Sequence, residues 1–129
     1  LRKNPMKADR PVHLNLFQIS FPLAAIVSIT HRITGVVLFA GMALALYALD
    51  LALTSEAGYL AAGELLAAPL PKLVMLALLF TLTFHITAGV KHLLLDFHVG
   101  DSIAASRNGA AIVIVVSVIV TALLGVSLW

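Results

Sequence analysis

Three long apolar stretches constrain this 129-residue chain more than any other feature. They cover residues 33–53, 73–90 and 110–129, and the last of them contains no charged residue. A helix needs about 20 predominantly apolar residues to cross a bilayer. Because 61% of the residues are hydrophobic and only 11% are charged, a soluble domain of this size cannot bury them. The sequence therefore predicts an all-α membrane protein with three transmembrane helices, at approximately residues 25–53, 70–96 and 107–129.

The distribution of basic residues predicts the orientation of the three spans. Four basic residues precede the first span: Arg2, Lys3, Lys7 and Arg10. The first loop, around residues 54–68, carries two glutamates and no lysine or arginine, and Lys72 is the one basic residue near it. Since lysine and arginine accumulate in cytoplasmic loops, we expect the N-terminus in the cytoplasm and the C-terminus outside. Residues 1–129 are expected to form a single transmembrane domain.

The composition argues against several kinds of function. The chain contains no cysteine, so it supplies no disulfide, no thiolate ligand for an iron–sulfur cluster and no C-x-x-C-H haem attachment. Its basic residues form no stripe interleaved with aromatic residues, so no nucleic-acid binding is expected. The apolar stretch begins too late for a secretory signal peptide, and the N-terminal segment lacks the composition of a transit peptide. These features favour a multi-pass protein of a bacterial inner membrane.

A first polar cluster lies in the segment "SITHRITG", residues 28–35, at the start of the first span. Ser28, His31, Arg32 and Gly35 are three or four residues apart, so they fall within an arc of about 100° on a helix. An arginine at this depth is also typical of an anchor that reaches the lipid headgroups. The hydroxyl group and the glycine on the same face favour a small polar pocket over a simple anchor.

A second polar cluster lies at the same depth, in the segment "TFHITAGVKHLLLDF", residues 83–97. On a helix, His85, Gly89, His92 and Asp96 form a narrow stripe, and Lys91 points about 120° away from it. A histidine inside a transmembrane helix is a candidate functional residue. The alternative interpretation is a hydrogen bond between helices, which would stabilise the bundle by about 0.6 to 2 kcal/mol.

The spacing of the second cluster favours a haem site. His92 lies about 10.5 Å from His85 along the helix axis, on the scale of the distance from a haem iron to its propionates. A neutral imidazole is a good axial ligand for that iron, and Gly89 leaves room for a flat macrocycle. His31, His92 and Arg32 would then lie beside the propionates, which need cationic or donor partners in a low dielectric. Since the chain has no other mid-span histidine, a second haem ligand would have to come from another chain.

Four segments of the sequence resemble a known family. "RPVHLNL", "FP", "SITHRITG" and "HITAGVKHLLLDF" are similar to the cytochrome b membrane-anchor subunit of succinate dehydrogenase, respiratory complex II, over roughly residues 10–129. The resemblance implies that His85 is the axial ligand of the haem b iron and that Ser28 and Arg32 bind ubiquinone. It also places His31 and His92 near the haem propionates. Lys91 departs from the family, which usually has an arginine there, and a lysine lacks the planar fork of donors.

The resemblance also implies partners and an activity. A second anchor subunit would share the haem and supply its other ligand, and an iron–sulfur subunit and a flavoprotein would dock on the cytoplasmic face. The chain would help pass electrons from succinate oxidation to ubiquinone, in the tricarboxylic acid cycle and the aerobic respiratory chain. It would be a non-flavin subunit of this oxidoreductase, in a haem-binding helical bundle, and succinate oxidation itself would take place on a partner.

Two other functions remain open at the level of the sequence. The anchor of a quinol:fumarate reductase would run the same chemistry in the opposite direction, and cofactor potentials rather than sequence decide that direction. An assembly protein or a small transporter subunit would use the histidines only to bridge helices. A transporter is expected to show broken helices or a path of charged residues, and the third span has none.

Overall fold

The computed structural model describes residues 15–129 of the chain. A short 3-10 helix at Leu16–Gln18 precedes four α-helices: α1 (Leu23–Thr54), α2 (Glu56–Ala67), α3 (Pro69–Asp96) and α4 (Ile103–Val126). No β-strand occurs within the described residues. The predicted basic segment before the first span, with most of "RPVHLNL", lies outside them.

Three of these helices are long and apolar enough to cross a membrane: α1, α3 and α4. The predicted fold class, an all-α protein with three transmembrane helices, is therefore confirmed. α1 begins directly after Pro22, two residues before the predicted start of the first span, and α3 begins with Pro69 at a position where the missing amide hydrogen costs nothing. α4 begins at Ile103, four residues before the predicted start of the third span.

The first loop is where the structure differs most from the prediction. Most of residues 54–68, expected to be a loop, forms the 12-residue helix α2, which packs against α1 and α3. Its start is fixed by Ser55, whose hydroxyl oxygen accepts a hydrogen bond of 3.0 Å from the amide of Gly58. Serine is a favoured cap, and the alanines and leucines that follow have high helix propensity. These local signals, rather than hydropathy, would have identified the helix.

The turn between α3 and α4 reverses the chain in six residues. His98 and Gly100 both have positive φ, at 59° and 75°. The amide of His98 donates to the carbonyl of Leu95, and the amide of Val99 donates to that of Leu94, so the last carbonyls of α3 are satisfied. α3 therefore ends where α4 starts. α1 starts at this same end of the bundle, which we call the His-rich end.

The buried core is small for a chain of this size. Its cluster consists of Val27, Phe84, Ala88, Ala110 and Val113, which join α1, α3 and α4. Outside it, large apolar residues such as Val36, Phe39 and Leu53 on α1 are more than 70% exposed. A soluble protein rarely exposes such continuous apolar surface, so lipid or other membrane helices must cover it.

Hydroxyl groups hold α3 and α4 together within the span. Thr83 and Thr121 lie 2.9 Å apart, and Thr87 and Ser117 lie 3.0 Å apart, measured between their hydroxyl oxygens. Ser117 is fully buried and also donates to the carbonyl of Val113. The sequence analysis gave no role to Thr83 or Thr87. Hydroxyl contacts of this kind are a common way to join helices in lipid.

We expect Ser117→Ala to destabilise the α3–α4 pair by about 0.6 to 2 kcal/mol, because it removes an interhelical hydrogen bond inside the membrane. The measurement is the midpoint of denaturant-induced unfolding in detergent micelles. Ser127→Ala is the matched control, since the Ser127 hydroxyl is exposed and bonds only to Leu124 of its own helix. An equal loss of stability in both variants would contradict the role of this contact.

Candidate functional site

α1 and α3 approach each other closely at two glycines. A Cβ atom added to Gly35 on α1 would lie 3.2 Å from Cε1 of His85 on α3. Conversely, a Cβ atom added to Gly89 on α3 would lie 3.4 Å from Nε2 of His31 on α1. Each glycine therefore makes room for a histidine of the opposite helix, and the pair fixes how the two helices meet.

The three histidines of the spans form one cluster at this crossing. The rings of His31 and His85 stack with their centroids 4.1 Å apart and an angle of 16° between their planes. The ring of His92 lies edge-on to His31, with a centroid distance of 5.2 Å and an angle of 61°. We call His31, His85 and His92 the histidine cluster. His31 thus occupies the room beside Gly89 that the sequence assigned to a macrocycle.

His85 has a defined hydrogen-bonding arrangement. Its Nδ1 lies 3.1 Å from the backbone carbonyl oxygen of His31 and 3.0 Å from the hydroxyl oxygen of Thr34. A carbonyl oxygen only accepts, and the Thr34 hydroxyl already donates to the same carbonyl at 2.7 Å. Both contacts are satisfied when Nδ1 of His85 carries the proton and donates it. The lone pair of the neutral ring then resides on Nε2, which has no hydrogen-bond partner among residues 15–129.

Thr34 is a site residue to which the sequence gave no role. It is 7% exposed and is the only side chain that hydrogen-bonds to His85 within the described part of the chain. Its position was visible in "SITHRITG", three residues after His31, where its hydroxyl can reach the His31 carbonyl one helical turn back. A search for hydroxyl groups that could orient a nearby histidine ring would have found Thr34.

The other predicted site residues lie around the cluster without direct bonds to it. Ser28 is half-buried, Arg32 and Asp96 are exposed, and none of their side chains forms a hydrogen bond or ion pair within residues 15–129. Arg32 and Asp96 are close enough to His92 for their charges to act on it. The structure therefore groups the three histidines tightly and leaves Ser28 and Arg32 with free donor groups at the His-rich end.

The cluster is not a chelate for a bare metal ion. Within the described residues, no group of three or more His, Asp or Glu side chains converges in that way. The lone pairs of the stacked His31 and His85 rings also lie in two nearly parallel planes, so they do not converge on one point between the rings. The group available for chemistry is one imidazole nitrogen without a hydrogen-bond partner among the described residues, Nε2 of His85, with further donors nearby.

Lys91 lies outside the cluster, as its position on the helix predicts. Its side chain packs toward α4, and a Cβ atom added to Gly109 there would lie 3.4 Å from its Cε. It is buried, with 9% of its surface exposed. Lys91 therefore belongs to the α3–α4 face rather than to the histidine face.

Comparisons with known proteins agree with this architecture. A family model described as succinate dehydrogenase/fumarate reductase transmembrane subunit matches residues 6–124. The chain is 42% identical over 125 residues to the succinate dehydrogenase cytochrome b556 subunit of Coxiella burnetii (strain RSA 493 / Nine Mile phase I), covering 96% of this chain and all of that one. It is 32% identical over 117 residues to the subunit of the same name from Paracoccus denitrificans, covering 91% and 90% of the two chains. The chain therefore belongs to the succinate dehydrogenase/fumarate reductase transmembrane-subunit family, as its motifs indicated.

Proposed function

We propose that this chain binds haem b and ubiquinone in the membrane domain of a succinate dehydrogenase, and helps pass electrons from succinate oxidation to ubiquinone. The observation that carries the proposal is the arrangement at His85. Its Nδ1 faces a carbonyl oxygen at 3.1 Å, which leaves Nε2 as the ligating nitrogen. Histidines that bind metals almost always donate their other ring N–H to such an acceptor.

The donor groups around His85 fit a haem, but Gly89 would not make room for the macrocycle, since His31 lies beside it. His85 would hold the iron, and His31, His92 and Arg32 would offer donors and positive charge to the two propionates. Those carboxylates need partners, since an unpaired charge is costly away from water. When bound, haem b supplies a one-electron carrier within the membrane. The chain's contribution is to orient the ligand through Thr34 and the His31 carbonyl and to exclude water with apolar neighbours.

A second axial ligand is expected from a second anchor subunit. The rings of His31 and His85 are stacked on each other, so His31 would not serve as the other ligand of an iron held by His85. The exposed apolar face of α1 is a surface against which such a subunit would pack. An iron–sulfur subunit and a flavoprotein would complete the complex, since this chain has no cysteine for a cluster.

Ser28 and Arg32 are the proposed ubiquinone contacts. Both have donor groups that no other described residue engages, and both lie in the first three turns of α1. A quinone headgroup accepts hydrogen bonds at its two carbonyl oxygens. The guanidinium of Arg32 also stabilises negative charge that develops there during reduction, and such stabilisation is strong where water is sparse.

We propose that the His-rich end faces the cytoplasm of a bacterium whose inner membrane holds the protein. Three of the four basic residues in the described part of the chain lie at that end: Arg32, Lys91 and Arg107. Lys72, near the start of α3, is the exception, and its Nζ lies 5.4 Å from the ring centroid of Trp129 at the opposite end. Cytoplasmic ends are enriched in lysine and arginine.

The test of the proposed function uses the complex purified with its partner subunits. Succinate is expected to reduce a b-type haem in the membrane domain, seen in reduced-minus-oxidised difference spectra, and to support ubiquinone reduction. Absence of a b-type haem from the purified complex would overturn the proposal. The matching family includes fumarate reductase subunits, so the rates of succinate oxidation and fumarate reduction should be compared. A faster fumarate reduction with a quinol donor would favour that second function.

Thr34→Val is expected to weaken haem retention by up to about tenfold. The substitution keeps the shape of the side chain but removes the hydroxyl that contacts Nδ1 of His85, and loss of a second-sphere partner typically costs about 10 to 100-fold in affinity. We place the effect at the lower end because the His31 carbonyl still accepts the same proton. The measurement is the haem-to-protein ratio after transfer to a haem-scavenging apoprotein.

The matched control for this experiment is Thr81→Val. Thr81 lies four residues before His85, and its hydroxyl donates only to the carbonyl of Ala77 in its own helix. The Thr81→Val complex should therefore have the same haem-to-protein ratio as the unmodified complex. If Thr34→Val kept it equally well, the hydroxyl would have no part in holding His85.

A further inference from the structure

A groove of about 410 Å³ runs between α3 and α4, outside the histidine cluster. Its volume falls within the range of about 300 to 1,000 Å³ found for ligand sites. Aliphatic side chains form most of its walls, and the polar side chains that line it are Thr87, Lys91 and Ser106. Thr87 is already engaged with Ser117, so Lys91 and Ser106 are the groups with donors to offer.

Lys91 is the unusual residue of this groove. Only 9% of its surface is exposed, and its aliphatic stem packs against α4 at Gly109. Its ammonium forms no hydrogen bond and no ion pair with any residue in the range 15–129, where the one recorded pair joins His98 and Asp101. The ammonium nitrogen itself is not enclosed by protein, since the described residues include no buried side-chain nitrogen without a hydrogen-bond partner, and it therefore opens into the groove. An unpaired cation facing an apolar groove in a membrane is unfavourable, so an anion is the favoured occupant beside it.

The dimensions of the groove match one leaflet of a bilayer. On α4 it extends from Ala105 to Val116, which is roughly 16 Å along the helix axis. Half of a hydrocarbon core is about 15 Å. The turn residues Val99 and Gly100 border the groove at the His-rich end, and Lys91 lies five residues before the end of α3. Lys91 therefore lies about 7.5 Å inside the end of α3, a position from which a lysine can extend its ammonium toward the lipid headgroups. The apolar walls continue from there toward the bilayer centre.

We propose that this groove binds an anionic phospholipid. One acyl chain lies along the aliphatic walls of α3 and α4, and the phosphate pairs with Lys91 and accepts a hydrogen bond from Ser106. Basic pockets between transmembrane helices bind anionic headgroups in this way. The first amide groups of α4, a 24-residue helix, add positive potential at the same end. A partner carboxylate would satisfy Lys91 but would leave the long apolar groove unfilled.

The experiment uses the assembled complex in nanodiscs that contain a photoreactive phosphatidylglycerol, with the reactive group in its acyl chain. Crosslinks are mapped by mass spectrometry to peptides of α3 and α4 and compared with those from an identical phosphatidylcholine probe. We expect phosphatidylglycerol to label the groove about fivefold more strongly than phosphatidylcholine. One lysine near the membrane surface raises the affinity for an anionic lipid by about that factor. Lys91→Gln should lower the labelling to the phosphatidylcholine level, and Lys91→Arg should retain it.

Two controls make the outcome specific. Lys72→Gln removes a cation at the opposite end of α3 and should leave the labelling unchanged. Excess inorganic phosphate should also leave it unchanged, because the acyl chain supplies much of the binding. Equal labelling by both lipids in the unmodified complex would overturn the proposal. An absence of labelling in the groove would also overturn it, because a partner subunit would then cover the groove. The comparison of the two lipids in the unmodified complex decides the question even if Lys91→Gln fails to assemble.

Discussion

His85→Leu is expected to abolish the low-spin haem spectrum of the purified complex and to lower its haem-to-protein ratio by at least about tenfold. Leucine fills a similar volume but offers no lone pair to the iron, and loss of even a second-sphere partner of a ligand costs about 10 to 100-fold in affinity. The measurement is the absorption spectrum of the reduced complex together with its haem content. The effect should exceed that of any other single substitution in this chain.

Two comparisons separate loss of a ligand from loss of structure. His98→Asn removes an exposed histidine in the α3–α4 turn, whose only ion-pair contact in the described part of the chain is Asp101 at 3.9 Å. Asparagine tolerates the positive φ of 59° at this position, so this variant should leave the spectrum unchanged. His85→Gly leaves a cavity beside Gly35, and free imidazole added to that variant should restore low-spin haem. An unaltered low-spin spectrum in His85→Leu would show that the iron takes both of its ligands elsewhere.

Ser28→Ala and Arg32→Ala are expected to lower the rate of ubiquinone reduction while leaving assembly near normal. Ser28→Ala should also keep the haem, since only Arg32 of the two is placed beside the propionates. Loss of one donor to a developing negative charge costs about 10² to 10³ in rate in water-excluded sites, and we expect at least about tenfold here because Arg32 is exposed. Arg32→Lys keeps the charge without the planar fork of donors, so its rate should be intermediate. The measurement is succinate-driven ubiquinone reduction by the purified complex.

Succinate oxidation with a soluble dye provides the internal standard for these variants, since it bypasses the quinone site. Arg107→Ala is the matched control, because Arg107 is another exposed cation at the His-rich end but lies on α4. It should reduce ubiquinone at the normal rate. If Ser28→Ala and Arg32→Ala also did so, the quinone would bind without these two side chains.

Hydropathy and helical spacing were sufficient to predict much of this molecule. The three long helices follow from the length and continuity of the apolar stretches. The different faces of His85 and Lys91 follow from their spacing on α3, because 3.6 residues per turn fixes their angular separation. The structure has His85 facing α1 and Lys91 facing α4, in agreement with that spacing.

The remaining features depend on how helices meet, which spacing within one helix does not determine. The stacking of His31 on His85 requires a particular offset between α1 and α3, and Gly35 and Gly89 set that offset. The roles of Thr34 and Thr87 arise only once a neighbouring helix brings an acceptor or a hydroxyl within reach. The helix α2 was missed for a different reason, since its 12 residues are too few to be identified as a membrane span from hydropathy.

The most direct test of the account is an electron cryo-microscopy structure of the complex with its haem and partner subunits. The account predicts that Nε2 of His85 coordinates the haem iron while Nδ1 donates to the carbonyl oxygen of His31. It also predicts that the propionates point toward the His-rich end of the bundle. A His85 ring that faces acyl chains, or that contacts only protein with no haem beside it, would contradict the account.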